Sequence, residues 1–106
     1  MDEQVNKALK QLNFRWLPKH LNHIAENIVF KKRNISFLAI NALFRQKNKH
    51  IGPSKSHFKN SYVVSGFVPI QKNDNLRKVP DILIVAFYLD NHNNIIVTTA
   101  YSENDD

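Results

Sequence analysis

The spacing of apolar residues divides the chain into a helical half and a strand half. Val5, Leu9, Leu12 and Trp16 recur at helical intervals and predict a first amphipathic helix that Pro18 ends or kinks. Pro18 also suits the first turn of a second helix, with Leu21, Ile24, Ala25 and Ile28 on its buried side. His20, His23 and Asn27 fall at i, i+3 and i+7 and share a neighbouring, more polar stripe of that helix. The basic run Lys31-Lys32-Arg33 then interrupts. Asn34 or Ser36 caps a third helix reaching about Arg45, in which Phe37, Leu38, Ile40, Leu43 and Phe44 spread around the axis and predict a well-covered helix.

Beyond Arg45 the period changes. Gln46 to Asn60 is polar and basic, with a turn at Gly52-Pro53-Ser54, and reads as a mobile loop. Ser61 to Ile70 reads as a strand, Gln71 to Asp81 as a polar connection, and Ile82 to Leu89 as an apolar strand buried on both faces. Asp90-Asn91-His92-Asn93-Asn94 is a hairpin turn of residues that tolerate positive φ, and the last strand runs from Ile95 to Tyr101. The expected architecture is α+β. Residues 1–106 form a single domain: a basic helical part over 1–45 packs on one face of a small antiparallel sheet over 61–101, and 102–106 is an acidic tail.

Charge sharpens that division. Residues 1–60 carry twelve Lys/Arg against three Asp/Glu, and residues 61–106 carry three against six, so the net +6 is concentrated in the first part. A localised basic surface makes a polyanion the first partner to consider, because Lys and Arg displace the counterions condensed on phosphates; an acidic protein would suit the same charge. With no cysteine in the sequence, disulfides, zinc–cysteine sites and thiol catalysis are excluded. The longest apolar run, Ile82 to Leu89, is far short of the roughly 20 residues of a membrane helix, and Met1-Asp2-Glu3 does not open a cationic signal peptide. The sequence therefore reads as a mature, soluble chain with no membrane partner.

Those charges and the histidines suit one chemistry in particular. RNA is cut without metal when its own 2′-hydroxyl attacks the adjacent phosphate, which calls for a base, an acid for the leaving oxygen, and donors or cations on the phosphate. Histidine fills either proton-transfer role near neutral pH. His20 and His23 are the candidates for it. Lys31, Lys32 and Arg33, together with Lys55 and His57 in the basic loop, are candidates for holding the substrate, and Thr99 and Tyr101 share one face of the final strand by its period of two. Each also has an ordinary reading as a solvated or structural side chain. Phe58 and Tyr62 beside Lys55 and Lys59 offer a base-stacking platform. A metal site built from His20 and His23 with His50 or His57 lacks any H-E-x-x-H pattern, and no cofactor is implied; neither a G-x-S-x-G elbow nor a phosphate-binding P-loop is present.

His20-x-x-His23, followed by Arg33-Asn34-Ile35-Ser36 and a helix through Ala42-Leu43, resembles the opening of small RelE-like domains. The apolar strand Ile82–Leu89, a turn, and Ile95–Tyr101 resemble their closing hairpin. The resemblance spans about Lys19 to Tyr101 and points to the BECR superfamily, which gathers barnase, EndoU, colicin-type tRNases and RelE-like toxins. It implies at least two N-terminal helices, a four-stranded antiparallel sheet where the periodicity shows three strands, and a metal-independent endoribonuclease acting on tRNA or mRNA. It also implies a toxin acting in the cytoplasm and held by an acidic antitoxin or immunity protein. Matching positions nominate His20, His23, Arg33, Thr99 and Tyr101. The alternative is a non-catalytic phage or toxin-system protein whose basic face binds nucleic acid or an acidic protein.

Overall fold

A computed structural model describes residues 3–29, 37–54, 61–71 and 78–102. Helix α1 (Glu3–Gln11) buries Val5 and Ala8 one turn apart, with Glu3 in its first turn and Lys10 in its last, each at the end of the helix dipole that favours its charge. It stops at Gln11, short of Trp16, because Leu12 takes a left-handed backbone (φ 52°) while its amide still donates to Ala8 O at 2.9 Å. The chain then runs extended. Ile95 N donates to Asn13 O at 2.7 Å and Arg15 N to Ile95 O at 2.9 Å, so Phe14 forms a parallel bridge with Ile95. Trp16 leaves the helix to stack on Phe14, ring centroids 5.8 Å apart, and to stand edge-on to Phe37.

Helix α2 (Pro18–Val29) opens with Pro18 in its first turn, where a missing N–H costs nothing, and Leu17 O accepts from the amides of His20 and Leu21. Ile24 is buried, but Ala25, expected on the inner side, is exposed; the side chain of Ile28 lies outside the described residues. Helix α3 (Phe37–Arg45) buries Ile40, Leu43 and Phe44 while leaving Phe37 42% and Leu38 80% exposed, so it is one-sided rather than covered all round. The expected caps, Asn34 and Ser36, lie outside the described residues.

Four antiparallel strands follow in chain order across the sheet: β1 (His50–Pro53), β2 (Ser61–Gln71), β3 (Lys78–Leu89) and β4 (Ile95–Ser102). The sheet thus begins at His50 instead of Ser61, β3 begins four residues before Ile82, and Ser102 is a buried strand residue rather than tail. Three helices on a four-stranded antiparallel sheet make the fold α+β, as its sequence pattern predicts.

One sheet face carries the core: Val64 and Val68 of β2, Leu83, Val85, Phe87 and Leu89 of β3, and Ile95, Val97 and Ala100 of β4. These pack with Val5, Ala8, Ile24, Ile40, Leu43 and Phe44 of the helices. Helix α3 and the turn after it lie close over Gly66, where a Cβ would stand 2.8 Å from Leu43 Cδ1 and 2.9 Å from Gln46 Oε1 and would push those side-chain ends aside. The strand Ile82 to Leu89 is buried on this face alone, since Ile82, Ile84, Ala86 and Tyr88 on the other face are only half-buried. A bulge in β4 decides which side chains join which face. Ala86 pairs with Thr99 but Phe87 with Val97, leaving Thr98 as the extra residue, its hydroxyl donating to Ala86 O at 3.2 Å. Ile95 and Val97 point into the core, and after the bulge Ala100 and Ser102 do so, which turns Thr99 and Tyr101 to the outer face.

Asp90 organises the β3–β4 turn. Its Oδ1 accepts from the amides of His92 (2.9 Å) and Asn94 (2.8 Å), its Oδ2 from Asn94 Nδ2 (3.0 Å) and from Arg15 at 3.4 Å, while Gln4 Nε2 donates to Asn93 Oδ1 at 2.7 Å. Burial pushes the Asp90 carboxyl up, but the bonds from Asn94, His92 and Arg15 outweigh it and lower its pKa from 3.8 to about 2. A carboxylate depressed in the folded state stabilises fully above its unfolded value and loses that contribution as pH falls through the folded one. Stability should therefore decline as pH drops from about 4 toward 2. Asp90→Ala should cost about 1–3 kcal/mol at pH 7 and flatten that acid limb in urea titrations; an unchanged limb would show that the turn does not depend on this charge.

Candidate functional site

The outer face of the sheet collects the side chains that carry chemistry. Register aligns His50 of β1 with Ser65 of β2, Ser65 with Ile84 of β3, and Ile84 with Tyr101 of β4, forming one row across all four strands. The adjacent row is Gly52, Val63, Ala86 and Thr99, and the next is Ser61, Tyr88 and Ile96. His50 and Tyr101 are both exposed, at opposite sides of the sheet. Three strand spacings of about 4.8 Å put their Cα atoms about 14 Å apart, so a group bound over Ser65 and Ile84 is about 7 Å from each. That distance is roughly the reach of an imidazole or phenol plus one hydrogen bond. Thr99 offers a hydroxyl one row away.

His20 reaches this face from α2. Its ring stands edge-on to Tyr88, centroids 6.0 Å apart and planes at 77°. Burial, then the charges of Lys19 and His23, hold its pKa below the ordinary 6.5 and favour the neutral ring. Tyr101 lies two rows from Tyr88, about 13 Å along the strands, so the aromatic partner of His20 is Tyr88 and not Tyr101. His23 is exposed on α2, close enough to His20 to act on it electrostatically. Lys31, Lys32, Arg33, Lys55 and His57 lie outside the described residues, as do Phe58 and Lys59 of the stacking platform. Tyr62 is on the core face, its ring 5.7 Å from that of Phe87.

His50 is the residue that sequence reading left among minor possibilities. His50-Ile51-Gly52-Pro53 holds one strong strand former before a Gly-Pro pair, so it reads as a turn, and only the pairing of Ile51 with Val64 reveals that His50 faces outward. The one local signal is that Ile51 stands between polar neighbours. Among the described residues no three His, Asp or Glu side chains are grouped to hold a metal ion, and no helix is long and apolar enough to cross a membrane.

Compared with protein-family models, curated proteins and solved structures, the chain matches none. A reading of its function therefore stands on the sheet face itself.

Proposed function

We propose that the protein is a metal-independent endoribonuclease that cuts tRNA or mRNA on the outer face of its sheet, a toxin acting in the cytoplasm and neutralised by an acidic antitoxin or immunity protein. The observation that carries this reading is the row His50, Ser65, Ile84 and Tyr101, which places an exposed imidazole and an exposed phenol on one face of the sheet, at the two ends of one row across all four strands. In the reaction a 2′-hydroxyl gives its proton to a base as O2′ bonds to phosphorus. The P–O5′ bond then breaks as O5′ receives a proton, leaving a 2′,3′-cyclic phosphate and a 5′-hydroxyl. His50 has the reach to take the proton from O2′, Tyr101 to give its phenolic proton to O5′ and Thr99 to donate to the phosphate oxygens, while His20 lies at the Tyr88 end of the same face. Side chains supply every proton and donor, so the step needs no metal.

The apolar character of the face favours a second reading. Val63, Ile82, Ile84 and Ala86 are half-buried there and Phe67 is exposed beside them, a surface on which nucleic acid or an acidic partner can bind without being cut.

Incubation with total RNA in excess EDTA separates the two. The expected result is cleavage that persists, leaves 2′,3′-cyclic ends, and spares DNA, which lacks the attacking hydroxyl. Cleavage abolished by chelator, or equal cutting of DNA, would overturn the mechanism; tight RNA binding with no cutting would establish the second reading.

A further inference from the structure

On the helix side of the sheet two hollows run along α1 and share Asn6 and Lys10. One, lined also by Glu3, Gln4, Lys7 and Asn93, lies toward the β3–β4 turn. The other, of about 400 Å³, is closed by Lys47 and Lys49 from the turn joining α3 to β1, over a floor of Leu9 and Ile51. We propose that this continuous groove is a phosphate track that holds single-stranded RNA flanking the segment on the sheet. The proposal rests on the reading that the partner is RNA, and it adds a second contact surface to that reading.

The groove is positively charged and partly fixed in place. Four lysines line it, and the one acidic side chain among its described lining residues, Glu3, is at the far end. Lys49 is half-buried and its ammonium donates to Gln46 O at 2.6 Å. Gln46 is itself anchored, its amide N–H donating to Leu43 O at 3.1 Å and its side chain to Phe67 O. One of three ammonium donors is thereby used and two remain for a ligand, at the end of a helix whose dipole favours a cation. Glu3 to Lys10 spans about 10 Å of helix, room for more than one phosphate.

Its chemistry selects a backbone over a base. Among the described lining residues of the two hollows no side chain is aromatic, so none of them stacks on a nucleobase, whereas ammonium groups on flexible stems grip phosphates of any sequence. Position connects the groove to the sheet. Lys49 immediately precedes His50, and β1 is a short edge strand, so RNA passing around that edge meets the lysines on one side and the His50–Tyr101 row on the other.

Binding of a labelled single-stranded RNA made uncleavable by 2′-O-methylation, followed by fluorescence anisotropy over about 50–200 mM KCl, tests this. The combined variant Lys10→Ala/Lys47→Ala/Lys49→Ala should flatten the slope of log affinity against log salt by about 2, which is about a hundredfold weaker binding near 0.1 M. Lys10→Ala/Lys47→Ala, which keeps the Lys49–Gln46 bond, should show about two-thirds of that change, and the three arginine replacements should retain native binding. An unchanged slope in the triple variant overturns the track. Native binding to this RNA with no cleavage of the unmodified RNA of the same sequence would remove the ribonuclease reading and leave the track standing, and no RNA binding at all would overturn both.

Discussion

Changing His50 to alanine, or Tyr101 to phenylalanine, should each slow RNA cleavage by about ten- to ten-thousand-fold, the range that follows loss of a proton-transfer group or a positioned donor. Neither change should unfold the protein. His50 is exposed on an edge strand, and Tyr101 is 38% exposed and loses only its hydroxyl, so the ring remains over the sheet. Single-turnover cleavage of one short RNA, with circular dichroism on each variant, measures both effects. His20→Ala should have a smaller effect than His50→Ala, because His20 meets the face beside Tyr88, two rows from Tyr101. If His20→Ala abolishes cleavage while His50→Ala and Tyr101→Phe stay near native, the reacting centre belongs at the Tyr88 end instead.

Truncating Phe44 to alanine should cost about 3–5 kcal/mol of folding stability. Its side chain is 1% exposed and its ring meets Phe14 edge-on at 5.1 Å and Phe87 at 5.2 Å; Phe87 in turn meets Tyr62. The Phe44 ring thus ties helix α3 to the extended segment after α1 and to β3, and through Phe87 to Tyr62 of β2. For a chain of this size the loss is a large share of total stability and lowers Tm by well over 10 °C. Leu38→Ala, at a position 80% exposed on the same helix, should stay within about 0.5 kcal/mol. A Phe44→Ala cost below about 1.5 kcal/mol in urea melts would show that the aromatic cluster repacks.

The outlines of the fold were readable where local chemistry and tertiary packing agree. Pro18 begins α2, Arg45 ends α3, and the Asp/Asn-rich turn between Leu89 and Ile95 joins two strands. Reading failed where partners distant in sequence decide. Trp16 fits the helical spacing of Val5 and Leu12, yet pairing of residues 13–15 with Ile95 draws the chain straight. Ile82 to Leu89 is continuously apolar because its outer face remains apolar while half-exposed, so composition alone could not separate two buried faces from one. For the candidate site, period two placed Thr99 and Tyr101 together, but strict alternation would also have put them with Ile95 and Val97 in the core. The bulge at Thr98 reverses that, and no turn residue marks it. His50 needed the register of β1 with β2 before its outward direction could be seen.

The bond between Gln4 and Asn93 joins residues 89 positions apart, and the Phe14–Ile95 bridge is nearly as long in sequence. These contacts, with Ile95, Val97 and Ala100 completing the core, make the last strand a condition for the first helix to settle. A ribosome still translating the β3–β4 turn carries a chain whose sheet lacks an edge and whose first helix lacks its bond to Asn93. Folding is therefore completed after synthesis of β4, with slow closure of long-range pairs, and the outer face gains its Thr99 and Tyr101 only at that moment. Until β4 pairs with β3, the row that begins at His50 stops at Ile84.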